Sequence, residues 1–154
     1  MKSPESLEKV AEFHRTFQHP VVKSPGIPIA DRSQLRVSLL AEELKELEDA
    51  IREGDLIEVA DALCDLQYVL SGAVLEFGLA DKFEALFNEV HRSNMSKACG
   101  SPKEAEATVA HYETERNTPC YFKAVDGKYL VFRKSDNKTL KSIKYSPANL
   151  KKML

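Results

Sequence analysis

Two acidic clusters stand in consecutive stretches of this chain: Glu42-Glu43-x-x-Glu46 and, past a turn at Gly54, Glu58-x-x-Asp61. On a helix, side chains three and four residues apart share a face, so Glu43 with Glu46 and Glu58 with Asp61 can each aim at one target. Several carboxylates and no nitrogen or sulfur donors form a hard ligand set, suited to Mg²⁺ or Mn²⁺. An apolar stripe at Leu40, Leu44, Leu47 and Ile51 orients the first segment. Glu43 flanks that stripe and Glu42 points away from it, which makes Glu42 the weaker candidate ligand.

Each acid also has a plainer explanation to set beside metal binding. Glu42, Glu46 and Glu48, with Lys45 and Arg52 nearby, can belong to a solvated face. Asp55 and Glu58 have the spacing of a capping box, in which each side chain satisfies a free backbone N–H at a helix start. Asp61 has neither excuse. It lies in a segment apolar on nearly every side (Leu56, Ile57, Val59, Leu63, Leu66, Val69, Leu70), a pattern that predicts a buried helix. A buried charge that loses its partner costs about 3–5 kcal/mol, against a total domain stability of about 5–15 kcal/mol. A bound cation would resolve that conflict.

The elements that must hold these residues are helical. Ser3 and Pro4 suit an N-cap and first turn, with Leu7, Val10, Phe13 or His14, and Phe17 following at helical spacing. Residues 18–33 carry Pro20, Pro25, Gly26 and Pro28 and read as a loop. A second helix is expected from about Ser33 to Glu53 and a third from Asp55 to about Phe77, stopped by Gly78. Asp81 and Glu84 repeat the capping spacing ahead of a fourth helix ending near His91, and Ser101-Pro102 opens a fifth that carries Ala105, Val109 and Tyr112 on one side. Alternation then takes over: 121–125, Asp126-Gly127 and 128–133 predict a hairpin with a type I′ turn, 135–138 a third short strand, and Ser146-Pro147 a last helical turn. The expected fold is mainly α, a four- to five-helix bundle over 1–118 with a small basic β-hairpin arm over 119–154.

With 154 residues the chain is one domain's worth. It has neither the apolar core of a signal peptide near its start nor a run of about 20 apolar residues, so a cytoplasmic protein without a membrane partner is expected. Cys64, Cys99 and Cys120 are odd in number and lack C-x-x-C spacing, against a disulfide framework or a thiolate zinc site. Cys64 reads as a small core residue of the third helix. Residues 121–154 hold nine Lys or Arg against Asp126 and Asp136, a net +7 that leaves −9 on residues 1–120. The basic arm fits a solvated sheet edge guarded by lysines, a phosphate-binding flap, or a nucleic-acid patch.

The acidic hairpin, with Asp61-Ala62-Leu63-Cys64-Asp65-Leu66 around it and His91-Arg92-Ser93-Asn94-Met95-Ser96-Lys97 after the fourth helix, resembles the MazG-like, all-α nucleoside triphosphate pyrophosphohydrolases, relatives of the dimeric dUTPases, dCTP pyrophosphatases and phosphoribosyl-ATP pyrophosphohydrolase. The resemblance is close over roughly residues 5–100. It implies Mg²⁺-dependent hydrolysis of an NTP or dNTP to the monophosphate and pyrophosphate, as in nucleotide-pool housecleaning, with Mn²⁺ as a substitute ion. By motif position it makes Glu43, Glu46, Glu58 and Asp61 metal ligands and gives Glu42 the handling of water. Asn94 and Lys97 match an N-x-x-K placed near the substrate's sugar and phosphates, although both also suit an ordinary helix end. Asp65, one turn past the motif, fits a residue that supports the ligands.

Phe13, His14 and Phe17 can stack on a base or pack into the core, and Arg36 can pair with a carboxylate or with phosphate. A homodimer or homotetramer acting on a nucleoside triphosphate is expected, and a nucleic-acid partner is not. Phosphoribosyl-ATP hydrolysis is the enzymatic alternative; a non-enzymatic helical module binding protein or nucleic acid is the other class, less expected because it leaves Asp61 unexplained.

Overall fold

The computed structural model describes residues 5–154, so the proposed cap at Ser3 and Pro4 lies outside the described residues. Its elements in order are α1 (Ser6–Thr16), α2 (Ala30–Glu53), α3 (Leu56–Glu76), α4 (Ala80–Met95), α5 (Pro102–Glu115), β1 (Cys120–Val125), β2 (Lys128–Arg133) and a 3₁₀ turn at Leu150–Lys152. The fold is mainly α with one antiparallel hairpin. The chain forms two compact units, one ending at Glu84 and one spanning Ala85–Leu154. Among the described residues no single helix is long and apolar enough to cross a membrane.

In the first unit α2 and α3 form an antiparallel hairpin, and α1 packs on α3. The hairpin turns because Gly54 takes the left-handed conformation at φ 73°, which ends α2, while Asp55 caps α3 by accepting from the backbone N–H groups of Ile57 and Glu58. Val10, Ala11 and Leu75 make a small core, with Val21 and Ala80 packed against it. The Pro-rich loop is strapped along the end of α3 by two backbone bonds, Val22 N–H to the Leu75 carbonyl (3.0 Å) and Gly26 N–H to the Phe77 carbonyl (3.1 Å). Gly78 permits this twice over: its φ is 67°, and a Cβ there would come within 2.1 Å of the Ser24 carbonyl oxygen.

In the second unit Ser101 accepts from the Glu104 N–H and Pro102 sits in the first turn of α5, as the Ser-Pro pair predicts. The hairpin pairs Cys120 with Arg133 through to Val125 with Lys128, and Asp126 and Gly127 both have positive φ, the type I′ signature. Strand alternation turns Cys120, Phe122, Tyr129 and Val131 toward α5, where they join Cys99, Ala105, Val109, Tyr112 and Leu140 in the core.

Several expected boundaries move. α2 starts at Ala30, so Ser33 lies inside its first turn and its hydroxyl donates back to the Pro28 carbonyl at 2.9 Å. α4 begins at Ala80, with Asp81 inside its first turn, and runs past His91 to Met95 because nothing between them breaks a helix. Residues 135–138 form a turn closed by an Arg133–Asp136 ion pair, with one isolated bridge from Phe132 to Thr139 in place of a third strand. The last helical turn lies at Leu150–Lys152, beyond Ser146-Pro147.

α3 departs furthest from expectation. It buries only Ala62 and the positions from Ser71 to Glu76, apart from a half-buried Ala73, while Leu56 and Ile57 are 78% and 79% exposed. Leu63, Leu70, Asp61 and Cys64 are exposed as well, which corrects the reading of a helix buried all round with Asp61 and Cys64 inside it. The physical reason is coverage: α1 and the strapped loop screen the C-terminal part of α3 and leave its N-terminal half open.

Candidate metal and substrate site

Packing of α2 on α3 brings Asp61 and Asp65 of α3 near Glu43, beside Glu42 and Glu46 of its own helix, and does not bring Glu58 among them. Glu43, half-buried, has a carboxyl pKa raised above the ordinary 4.5, first by burial and then by the negative charges of Asp65, Glu46, Glu42 and Asp61. Among the described residues none of these five acids, nor Glu58, pairs with a Lys, Arg or His. The cations on α2 are engaged elsewhere: Lys45 and Arg52 both bind Asp49 at 2.6 Å, on the solvated face. A set of uncompensated oxygen donors is the chemistry that fits a hard divalent ion. No three of the described His, Cys, Asp and Glu side chains converge on an ion position.

Glu58 loses its plainer explanation. Asp55 does cap Ile57 and Glu58, but its own backbone N–H is spent on the Ala50 carbonyl at 3.1 Å. The reciprocal half of the capping box is absent, and the Glu58 side chain is exposed with no partner among the described residues.

Beside the acids lies a cleft of about 320 Å³ whose walls include Glu43, Asp65, Phe13, His14, Arg36 and Tyr68. Five of the residues singled out from the sequence thus share one cavity. Phe13 is partly exposed and anchors an aromatic group: His19 stacks on it at 5.9 Å between ring centroids, and Tyr68 meets it edge-on at 5.6 Å. Phe17 packs on Phe13 at 4.5 Å and is itself exposed.

His14 and Arg36 belong to a buried polar network under that cleft. His14 is 2% exposed and its Nδ1–H donates to the Pro20 carbonyl at 2.7 Å; a carbonyl can only accept, so Nδ1 holds the proton and Nε2 is bare. Arg36 Nη2 lies 3.5 Å from that Nε2. Burial lowers the His14 pKa most; the hydrogen bond to Pro20 works against this and the Arg36 charge adds to it. Arg36 is 6% exposed and pairs with Glu76, which also takes Arg32. For Glu76 burial pushes the pKa up, but hydrogen bonds from Arg36 and Arg32 outweigh it and hold the carboxyl below its ordinary value. The Arg36 Nε is buried without a hydrogen-bond partner among the described residues.

The chain matches the phosphoribosyl-ATP pyrophosphohydrolase family over residues 10–94, a span that takes in the acidic hairpin, the cleft and Asn94. It belongs to that family. An uncharacterized protein of Acanthamoeba polyphaga mimivirus is 26% identical, over an alignment covering 97% of this chain and 95% of its own. This phosphoribosyl-ATP pyrophosphohydrolase family lies within the MazG-like, all-α superfamily, whose members generally use divalent ions. The family match ends at Asn94 and leaves Lys97 outside it. Both residues belong to the second unit, where Lys97 Nζ donates to Asn94 Oδ1 at 2.7 Å.

For a family member read by motif, the missed residues are Glu76, Arg32, Gly72 and Tyr68. Gly72 is needed because a Cβ there would sit 2.7 Å from Arg36 Nη1 and 3.0 Å from His14 Nε2. A signal existed: Glu76 is an acid closing an apolar run, and Arg32 and Arg36 are four apart on one helix face. Which acid of α3 those arginines would meet depended on how the hairpin paired.

Proposed function

We propose that this chain is a Mg²⁺-dependent nucleoside triphosphate pyrophosphohydrolase, converting an NTP or dNTP and water to the monophosphate and pyrophosphate, with Mn²⁺ able to replace Mg²⁺. The observation that carries the proposal is Glu43, held among four other carboxylates, without a cationic partner among the described residues and opening on a cleft lined by aromatic rings. Glu43, Glu46, Glu58 and Asp61 would hold the ion. When bound, the ion neutralises phosphate oxygens and lowers the pKa of coordinated water. Glu42 orients the water and accepts its proton. Asp65 supports the ligand set from one turn along α3. Phe13, with Tyr68 edge-on to it, offers the base a stacking surface; His14 and Arg36 form the cleft's polar floor. Asn94 and Lys97, in the second unit, are by motif spacing the candidates for a sugar or phosphate contact. No covalent nucleophile is needed.

Phosphoribosyl-ATP is the second substrate reading, favoured by the family matched. It is a purine nucleotide with the same triphosphate, so the same acids would act on it. The test is a panel of NTPs, dNTPs and phosphoribosyl-ATP with purified protein and Mg²⁺, Mn²⁺ or EDTA, reading monophosphate and pyrophosphate. Metal-dependent release of both products from one class supports the proposal and selects the substrate. No pyrophosphate from any of them would reject it.

The acting form is a homodimer or homotetramer. What supports this is the open apolar face of the hairpin, where Leu44, Ile51, Leu56, Ile57 and Leu63 are each more than half exposed. Light scattering of the purified chain tests it, and a monomer at micromolar concentration would reject it.

A further inference from the structure

The hairpin has two faces of different chemistry. Its inner face packs on α5, and its outer face follows from the register: Tyr121 opposite Phe132, Lys123 opposite Leu130, Val125 opposite Lys128. That face therefore sets two rings, two aliphatic side chains and two ammonium groups side by side, with its lysines at positions facing away from the core. The rings of Tyr121 and Phe132 lie 5.7 Å apart between centroids, inclined by 34°. Tyr121 is fixed in place, its hydroxyl donating to Asn137 Oδ1 at 2.8 Å, and Lys123 Nζ lies 5.5 Å from the centre of the same ring.

The charges on this face are available. Arg133 is neutralised by Asp136 and Lys144 faces Glu104, whereas Lys123 and Lys128 have no carboxylate partner among the described residues. They sit in a segment carrying +7 over residues 121–154. A guarded sheet edge requires lysines along the strand edge but no aromatic pair between them. A flap over a single triphosphate would use the charge and leave the ring pair unexplained. Rings beside unpaired lysines fit an extended polyanion whose repeating unit also has a flat apolar face.

We propose that the outer face of the hairpin binds single-stranded nucleic acid, with bases stacked on Tyr121 and Phe132 and phosphates drawn to Lys123 and Lys128. Stacking is tolerant of base identity, so the site has little sequence preference. A duplex keeps its bases stacked on one another and offers this face only its phosphates, so it binds more weakly. The surface is separate from the acidic cluster in sequence and in chemistry, and it does not rest on the nucleotide hydrolysis proposed above.

The test is fluorescence anisotropy of the full chain with a labelled 20-nucleotide poly-dT strand, the same length of poly-U, a 20-base-pair duplex, and heparin as competitor, from 25 to 200 mM KCl. The expected result is single-strand binding several-fold tighter than duplex binding, with a negative dependence of log affinity on log salt. Lys123→Glu with Lys128→Glu should lower affinity and flatten that slope by about 1.4, at about 0.7 for each phosphate of a single strand that is no longer neutralised. Phe132→Leu and Tyr121→Leu, which keep an apolar side chain on the face, should each weaken binding by about 5-fold or more with the slope unchanged. Circular dichroism checks that each variant is folded, and the lysine variants, being on the surface, keep the test decisive if a ring variant is not. The proposal is overturned by no binding at 25 mM KCl, by equal affinity for strand, duplex and heparin with the ring variants neutral, or by lysine variants that change only the KM for a nucleotide.

Discussion

The two halves of α3 hold acids under opposite conditions. At its C-terminal end Glu76 is 2% exposed and lies against two arginines of α2, with His14 completing the network. At its N-terminal half Asp61 is exposed and Asp65 half-buried; both lie near Glu43 of α2, and neither has a cationic partner among the described residues. Both are acidic residues on one helix packed against one partner helix. The difference lies in what α2 brings opposite: arginines at 32 and 36, glutamates at 42, 43 and 46. One end is a closed electrostatic unit within the hairpin; the other is a set of acids without a counter-charge among the described residues.

The sharpest way to break this contrast is to swap charge for shape at each end. Glu43→Gln and Asp61→Asn should abolish metal-dependent pyrophosphate release while leaving urea unfolding unchanged or slightly improved, since each removes a like-charge repulsion. Turnover retained in both variants would mean that the open end is not the site. Glu76→Gln should do the reverse and destabilise the chain by about 3–5 kcal/mol, because Arg36 stays buried without its counter-charge. A shift in the unfolding midpoint equivalent to under 1 kcal/mol would show that the arginine network does not anchor the hairpin.

A smaller loss is expected from Gly72→Ala. The added methyl would meet the Arg36 guanidinium at 2.7 Å, and overpacking of this kind costs about 1–3 kcal/mol. Ile57→Lys tests the open half in another way: with Leu56 beside it on an exposed apolar face, the charge should shift the chain toward monomer in light scattering without unfolding it.

The smallest effect is one of sign in the pH dependence of stability, measured in EDTA. Glu43 has a folded pKa above its ordinary 4.5, so its contribution to stability is largest below that value and is lost as pH rises through the folded value. Glu76 has a folded pKa below its ordinary 4.5, so its contribution is present above that value and is lost as pH falls through the folded value. Glu43→Gln should therefore flatten the upper part of the curve and Glu76→Gln the lower part. Identical curves for the two variants would erase the distinction between the ends.

Much of this was legible in the residues. Gly54, Asp55 and Gly78 punctuate the helices through backbone conformation and capping, which are local, and Asp126-Gly127 specifies its turn for the same reason. The acidic spacing was legible because helical periodicity alone puts Glu43 beside Glu46. The exposure of α3 was not. An apolar helix reads as buried, yet Leu56 and Ile57 are open here because nothing in their own unit reaches them. Likewise Asp55 and Glu58 have the letters of a capping box, but a tertiary detail, the Asp55 N–H bonding the Ala50 carbonyl across the turn, decides that only half of it forms.

The sequence by itself determined where the helices and the hairpin lie, which acids share a helix face, and that the C-terminal segment is basic, because each depends on neighbours within a few residues. Only the tertiary structure decided that Glu76 is the acid taken by the arginines, that Gly72 must lack a side chain, that Phe13, Tyr68 and Glu43 line one cleft, and that the half-buried rings of Tyr121 and Phe132 lie side by side. Those outcomes depend on the pairing of α2 with α3 and of β1 with β2. A pairing register is set by contacts between residues dozens of positions apart or across a turn, and no local pattern of charge or hydrophobicity carries it.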